Sequence, residues 1–489
     1  MIHNTADNLD LRIKDHPILE FKRNTPISFI FNGKKIIGYE GESIAAALWA
    51  SGIKVFRKGA TGPEGPFCMI GYCSGCLVEV NGRTHVRACQ ELVRPNIEVK
   101  SMDKLPKPLF RRHHLGDVEH VDLAVDLMVV GAGPAGLSAA IAAAENGLNV
   151  VVFDRHFRAG GQLIKQTHKF FGSGELFGGK RGFQIAGELL KRANELGIKV
   201  FLGTSVYGCF KGRVFGAVSS ETSYVVKPKT VVVSTGAVER TLVFPGNTLP
   251  GVMGAGAAQT LMNEYGVKPG ERAIVVGAGN VGLIVSYQLM QAGVKVLAIV
   301  EIRDEIGGWM VHAAKVRRIG IPILTRHTVV RAEGNNHVER VVVSMVDERY
   351  KPIPGSEKVF DVDLLLLAVG LTPESRLLAQ MGAKMVWSSE LGGYVPYRNR
   401  FMETSIPGVF VAGDASGIEE ATTAILTGRV AGLSATMKVK GEDEVLIRER
   451  ERVIELLEMT RQTRFSQRIV KGLEKVSLNV VQEEGIYHY

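Results

Sequence analysis

The alternation of apolar and polar positions changes its grammar along the chain. From Pro26 the run PISFIFNGKKIIGYEG places two apolar stretches on either side of Asn32-Gly33, a dipeptide suited to a tight hairpin turn, so two antiparallel strands are expected. SIAAALWASG then reads as a short helix with Ser43 as N-cap and Gly52 as stop. A Gly- and Pro-rich loop, GATGPEGPFCMIGYCSGC, leads into a second hairpin, CLVEVNGRTHVRAC, turning at Asn81-Gly82. A small sheet with one helix makes residues 25–100 a compact α+β unit. Residues 1–24 in front of it are largely polar and read as a loose arm. Residues 101–120 carry prolines and mixed charge without apolar periodicity and read as a linker.

Beyond the linker the pattern becomes apolar strand, glycine turn, apolar helix, strand. DLMVVGAGPAGLSAAIAAAENGLNVVVFD and AIVVGAGNVGLIVSYQLMQAGVKVLAIVE are two versions of one strand–helix–strand unit, an internal repeat. The expected fold class is therefore α/β, two Rossmann-like domains behind a small α+β domain. In the tail, 436–489, Leu446, Val453, Leu456 and Leu457 recur near helical spacing among dense Glu and Arg. The expectation is a charged amphipathic helix docked on its own core; docking on a different polypeptide is the alternative.

Composition narrows the classes. A chain of 489 residues holds roughly three domains at about 150 residues each. At 45% hydrophobic and 22% charged it is too apolar for a disordered protein. The charge of +9 comes from 59 basic and 50 acidic residues interleaved along the chain, without the Lys/Arg runs of a nucleic-acid binder. No apolar stretch reaches the ~18 residues of a membrane span, and the opening MIHNTADNLDLRIKDH lacks the apolar core of a signal peptide. Five cysteines, four of them crowded together, do not form a secreted disulfide framework. A cytoplasmic protein is expected, meeting a membrane at most through an electron acceptor.

The crowded cysteines are Cys68, Cys73, Cys76 and Cys89. The first three have the spacing of plant-type [2Fe–2S] sites. Four thiolates around two irons concentrate negative charge, which backbone N–H groups must offset. Gly65, Gly71 and Gly75 let the loop curl so that its amides face inward. Four buried thiols, or a zinc ion on the same ligands, are the competing readings. Zinc ribbons usually pair two short Cys-x2-Cys knuckles, whereas Cys89 stands alone behind a hairpin, which favours the cluster. Cys209 has no Cys partner nearby in sequence and is expected in the core.

In the first repeat Gly131 permits a tight turn, Gly133 lets a pyrophosphate approach the backbone, and Gly136 lets helix and strand pack closely. The phosphates would rest on the helix N-terminus, and Asp154 at the end of the second strand would accept from the ribose hydroxyls. The second repeat has Gly277, Gly279 and Gly282, with Glu301 in the acid position. An acid there suits a 2′-OH, while Arg303 suits a 2′-phosphate. The same pattern fits an occupied site and a scaffold that has lost its ligand.

Two further segments, TVVVSTGAVER with Thr235 and Gly236, and GVFVAGDASGIEEATTAILTGRVAG with Gly413 and Asp414, resemble the ATG and GD segments of flavoproteins similar to thioredoxin reductase. GGQL, with Gly161 and Gln162, fits the same family, as does DLLLLAVGLTPES where the chain would cross back from an inserted domain. The resemblance implies a split FAD/nucleotide-binding domain, 121–245 and 360–435, with an NAD-binding-like domain, 246–359, inserted. It also implies that Asp414 holds the flavin ribityl chain and that the next helix points its N-terminus at the flavin ring. The disulfide reductases of that family carry a Cys-x-x-Cys redox pair, which is absent here outside the cluster loop, so dithiol chemistry is not expected.

Together with these folds, GPFCMIGYCSGCLVEVNGRTHVRAC resembles the cluster domain of α subunits of complexes that oxidise amines and imino acids. These are heterotetrameric sarcosine oxidase, opine oxidases, hydrogen cyanide synthase and dye-linked L-proline dehydrogenase. The sequence ends soon after the GD segment, without a folate-linked extension, so its layout looks most like the last. The resemblance implies an FAD-containing β subunit that oxidises the amino acid, in a hetero-oligomer. It implies [2Fe–2S] and FAD here, with NAD or ATP as alternatives to FAD in the first site, and an FMN at the subunit interface. Electrons would pass to a quinone or dye. An amine yields two electrons at once and a [2Fe–2S] centre takes one, so a flavin that can release electrons singly must stand between them. No catalytic residue is assigned; His156 and His168 flank the first site without a role. The alternatives are a self-contained NAD(P)H:acceptor oxidoreductase and a non-catalytic, nucleotide-stabilised scaffold.

Overall fold

The computed structural model describes residues 9–102, 118–463 and 466–478. Most of the expected linker, 103–117, lies outside the described residues, as do 1–8 and 479–489. The chain divides into two compact units, Met1–Arg111 with Glu239–Gly370, and Arg112–Val238 with Leu371–Tyr489.

In the first unit both expected hairpins form. Asn32 and Gly33 have φ of 48° and 79°, and Asn81 and Gly82 have 49° and 77°. A turn with positive φ at both central positions follows the twist of its strands. A strand the hydrophobic pattern does not reveal, Glu98–Ser101, runs parallel to Pro26–Phe31 and antiparallel to Leu77–Val80, joining the hairpins into one five-stranded sheet. The helix Ile44–Ala50 is buried throughout and starts at Ser43, whose Oγ accepts from the Ala46 N–H at 3.2 Å. The described part of the N-terminal arm corrects the expectation of a loose segment. Leu11 and Ile13 are buried, and the Ile13 N–H donates to the Gly266 carbonyl at 2.7 Å. Arg12 between them meets buried Glu42 through Nε at 2.9 Å and Nη2 at 2.8 Å. Two apolar residues flanking one charge make too short a signal to read as a strand.

The rest of this unit is a parallel sheet in the order Val252–Gly254, Leu364–Leu367, Arg272–Val276, Lys295–Glu301, Ile323–Thr325. A three-stranded antiparallel layer, His327–Glu333, Arg340–Met345 and Lys358–Asp361, accompanies it. One hydrophobic core runs from the small sheet and its helix into this nucleotide fold, from Phe29, Trp49 and Val99 to Leu261, Val275 and Leu283. Polar contacts follow the same boundary. Trp49 Nε1 donates to the Pro269 carbonyl at 3.2 Å, and Lys54 Nζ pairs with Asp363 at 3.1 Å.

The second unit holds a seven-stranded sheet. Its first part runs Lys199–Phe201, Val150–Phe153, Glu119–Val130, Thr222–Val233, all parallel. The long strand Thr222–Val233 then divides its other edge. Its first half pairs with the antiparallel Val214–Val218, and its end with the parallel Val409–Val411. Helices Pro134–Glu145 and Ala421–Lys440 cover the core. Helix Glu444–Thr460 docks on that same core through Leu446, Val453, Ile454 and Leu457. Cys209 departs from expectation: it lies half-buried on the edge strand Ser205–Phe210, with Gln380 donating to its carbonyl at 2.7 Å. Among the described residues, no helix is long and apolar enough to cross a membrane.

Candidate redox and nucleotide sites

The four clustered cysteines come together at the mouth of the small sheet. Cys68, Cys73 and Cys76 ride the loop before Leu77–Val80, and Cys89 lies in the single turn Ala88–Gln90 after the second hairpin. Cys68, Cys76 and Cys89 are buried and Cys73 is partly exposed. The loop passes so close to its neighbours that side chains are excluded. A Cβ on Gly75 would lie 2.5 Å from the Gly65 carbonyl oxygen, and one on Gly65 would lie 2.4 Å from that of Lys54. The curl turns amides onto sulfur: Cys68 Sγ accepts from the N–H of Tyr72 and of Cys73, each at 3.3 Å, and Cys73 Sγ from that of Gly75 at 3.4 Å.

The thiols bear on one another's protonation in twos, Cys68 with Cys73 and Cys76 with Cys89. The hydrogen bond from Cys73 brings the Cys68 thiol down to about 5 against the opposing effect of burial, with backbone N–H groups helping. The bond from Cys89 likewise lowers Cys76, and the partner thiol in each pair is raised. Two pairs of sulfur ligands with inward amides are what a two-iron centre requires, so the residues fit a [2Fe–2S] cluster.

The two nucleotide folds repeat one another residue by residue. Gly131 and Gly277 have φ of 109° and 107°, and a Cβ on either would strike a carbonyl oxygen, Ser234 at 2.4 Å or Ala368 at 2.3 Å. A Cβ on Gly136 or Gly282 would fall within 2 Å of the carbonyl oxygen of Gly131 or Gly277. The middle glycines differ in kind: a Cβ on Gly133 would have its nearest neighbour 3.9 Å away, and one on Gly279 none within 4 Å. Open space above these two backbones, each at a helix N-terminus, is the cradle a pyrophosphate would fill.

The acids anchor their loops in the same way. Asp154 Oδ2 accepts from the Ala132 N–H at 2.7 Å, and Glu301 Oε2 from the Ala278 N–H at 2.8 Å. Asp154 is half-buried, and among the described residues its Oδ1 accepts from the His156 N–H, at 2.8 Å. Glu301 is 4% exposed, and its Oε1 takes both the N–H and the Nε of Arg303, each at 3.1 Å. The first acid is therefore the more exposed and the less occupied of the two, while the second is enclosed beneath an arginine.

Gly161, at φ 54°, would place a Cβ 2.8 Å from the Gly133 Cα, so it lies against the first cradle; Gln162 beside it is exposed. Thr235 and Gly236, past the end of the central strand, are tied to Glu374, whose N–H donates to the Gly236 carbonyl at 2.9 Å and whose carbonyl accepts from Thr235. Gly413 lies against the first turn of helix Pro134–Glu145, where its Cβ would come within 2.9 Å of that of Ala135. Asp414 follows at the carboxyl end of Val409–Val411. It keeps slight solvent contact but is surrounded by protein, and burial pushes its carboxyl up to about 7. The Glu419 N–H, 3.3 Å from Oδ1, acts in the opposite sense. The sequence gives no local signal for Glu419, or for Arg461, which grips it from forty-two residues away.

Sequence patterns of the pyridine nucleotide-disulphide oxidoreductases match residues 125–428, more than half of the chain. The chain belongs to this family. In front of this oxidoreductase fold, residues 24–104 match the 2Fe-2S iron-sulfur cluster binding domain. The alpha subunit of sarcosine oxidase from Rhizobium meliloti (strain 1021) is 27% identical over 467 residues, covering 81% of this chain and 44% of its own. An opine oxidase subunit from Agrobacterium tumefaciens (strain Ach5) is 27% identical over 333 residues, 64% of this chain and 66% of its own. The crystal structure of L-proline dehydrogenase from P. horikoshii superposes with a TM-score of 0.67 at 25% identity, covering 90% of this chain and 79% of that one. This oxidoreductase thus spans less than half the length of the sarcosine oxidase polypeptide it matches. Its likeness to the sarcosine oxidase alpha subunit and the opine oxidase subunit, and its α/β fold class, agree with the sequence reading.

Proposed function

We propose that this oxidoreductase is the electron-transfer component of a flavin and iron–sulfur complex that dehydrogenates an amino or imino acid, with L-proline the favoured substrate. The observation that carries the reading is the joining, in one chain, of a four-cysteine loop with inward amides to two dinucleotide cradles. The favoured substrate and the FAD-bearing partner rest on the likeness to L-proline dehydrogenase and to the sarcosine and opine oxidase subunits.

Within this reading the open backbone at Gly133 receives the pyrophosphate of FAD, NAD or ATP, and Asp154 accepts from the ribose hydroxyls. Asp414 follows Gly413, which packs against Ala135 at the start of the same fold's glycine-loop helix. Cys68, Cys73, Cys76 and Cys89 hold the cluster, whose charge the amides of Tyr72, Cys73 and Gly75 offset. A flavin in the assembly would accept electrons in pairs and release them one at a time to the cluster, for onward transfer to a quinone or dye.

The test is dye reduction with L-proline and sarcosine, by the isolated chain and by the chain assembled with its partner. Activity confined to the assembly, and strongly reduced there by Cys68→Ser, is the expected result. Oxidation by the chain alone at the rate of the assembly overturns the reading. The second cradle, as open at Gly279 as the first is at Gly133, favours a second reading, a self-contained NAD(P)H:acceptor oxidoreductase. Rapid anaerobic bleaching of bound flavin by NADH or NADPH would select it.

A further inference from the structure

The family match ends at residue 428, yet two later stretches return to the matched fold, one to the loop that carries Asp414 and one to Arg398. Arg461, closing helix Glu444–Thr460, donates to Glu419 through Nε at 2.9 Å and Nη2 at 2.6 Å. Glu419 in turn donates its backbone N–H to Asp414 Oδ1. The second stretch pairs with Arg398: the Arg398 N–H donates to the Val476 carbonyl and the Leu478 N–H to that of Arg398, both at 3.1 Å. The Arg398 side chain is buried, and its proton affinity falls to about 10 through burial and then the like charge of Arg461, with Glu419 opposing.

The Arg461–Glu419 contact differs from the other ion pairs of its helix. Arg400–Glu451, Arg429–Glu449 and Arg452–Glu175 have arginine side chains 33–57% exposed, as expected of pairs on a solvated face. Arg461 and Glu419 are 16% and 7% exposed and share two hydrogen bonds in fork geometry. A pair of this kind fixes direction as well as proximity.

We infer that Arg461 is a positioning residue for the first nucleotide fold: it fixes the Glu419 carboxylate and, through the Glu419 backbone, the carboxyl of Asp414. The C-terminal helices are then a working part of that fold. This rests on the reading that the first fold holds a nucleotide. The charged groups around Asp414 are the Glu419 carboxylate, Arg461 upon it, and Arg398 beside that pair. Glu419 bears on Asp414 with its negative charge, and Arg461 cancels much of that charge. Removing the cation therefore makes Asp414 harder to ionise, and removing the Glu419 charge makes it easier.

Uptake of FAD by the full chain, followed through flavin fluorescence from pH 5.5 to 9, tests this. Binding should change with a midpoint near the Asp414 value of about 7. Arg461→Gln should move the midpoint up, and Glu419→Gln should move it down, each by about half a unit to one unit. Arg461→Lys should restore most of the parental profile. A purely structural clamp weakens binding in both glutamine variants without moving the midpoints apart, and that result overturns the inference. Should Arg461→Gln not fold, as judged by circular dichroism, the Glu419→Gln shift and the lysine profile decide alone. Failure of the parent chain to take up FAD, or NAD or ATP by calorimetric titration, at any pH overturns the underlying nucleotide reading instead.

Discussion

Asp154 and Glu301 end equivalent strands and hold equivalent alanine amides, but Asp154 is half-buried while Glu301 is buried and engaged by Arg303. Hydrogen bonds to a charged group contribute about 1.5–3 kcal/mol each. Asp154→Ala should therefore lower adenine-nucleotide affinity at the first fold by about tenfold or more. Glu301→Gln should mainly lower the melting temperature, because the carboxylate serves its own loop and Arg303. Calorimetric titration and thermal melts of both variants separate these outcomes; equal losses of affinity would show the two acids to be equivalent. Asp414 carries a pH signature of its own. Its folded value of about 7 lies above its ordinary value, so the folded chain binds the extra proton and stability falls as pH rises between the two. Asp414→Asn removes that cost. The variant should melt above the parent at pH 8, with the gain shrinking toward pH 4 in melts without added nucleotide. A gain independent of pH would mean that burial does not hold the carboxyl protonated.

Helices Pro134–Glu145 and Ala421–Lys440 approach so closely that a Cβ on Gly428 or Gly432 would stand 2.1 or 2.3 Å from the carbonyl oxygens of Ala135 and Ala139. Alanine favours a helix over glycine by about 1 kcal/mol, whereas overpacking costs about 1–3 kcal/mol and must here move a backbone. Gly428→Ala and Gly432→Ala should both lower the melting temperature and reduce nucleotide retention, since this contact sets Gly413 against Ala135; unchanged melts would mean that the helices can separate at little cost. Elements of this scale divide according to what sequence can carry. The two Asn-Gly hairpins, the Ser43-capped helix and the two glycine-loop units were legible because turn chemistry, capping and spacing are local. The quartet Cys68, Cys73, Cys76 and Cys89 could be singled out for the same reason, its spacing being local. Strand Glu98–Ser101 was not, because its partners lie on other segments, and neither was the docking of Leu11 and Ile13. Arg461 and Glu419 are charges in a charged tail and an acidic loop, and only the tertiary fold makes one of many possible pairs a fork.

At the scale of the molecule, the cysteine-bearing sheet and the second nucleotide fold are adjacent neither in sequence nor in period, yet they share one core and fall in one compact unit. Cooperativity follows shared buried surface, so the two should open together. Trp49 is the sharpest probe. It is fully buried, and its indole N–H reaches the Pro269 carbonyl of the nucleotide fold. Replacing a buried tryptophan by alanine costs about 3–5 kcal/mol, enough to populate openings that are otherwise rare. In Trp49→Ala, hydrogen exchange should quicken in Ile44–Ala50 and also in the strand Arg272–Val276 and helix Asn280–Gln291. Helices Pro134–Glu145 and Ala421–Lys440, built on a separate core, should keep their protection. Faster exchange confined to residues 26–102 would mean that the small sheet opens alone and that the shared core is only a contact surface. Joint loss would mean that nothing bound to the cysteine loop can loosen without the second nucleotide fold responding, which makes that fold the structural support of the redox centre.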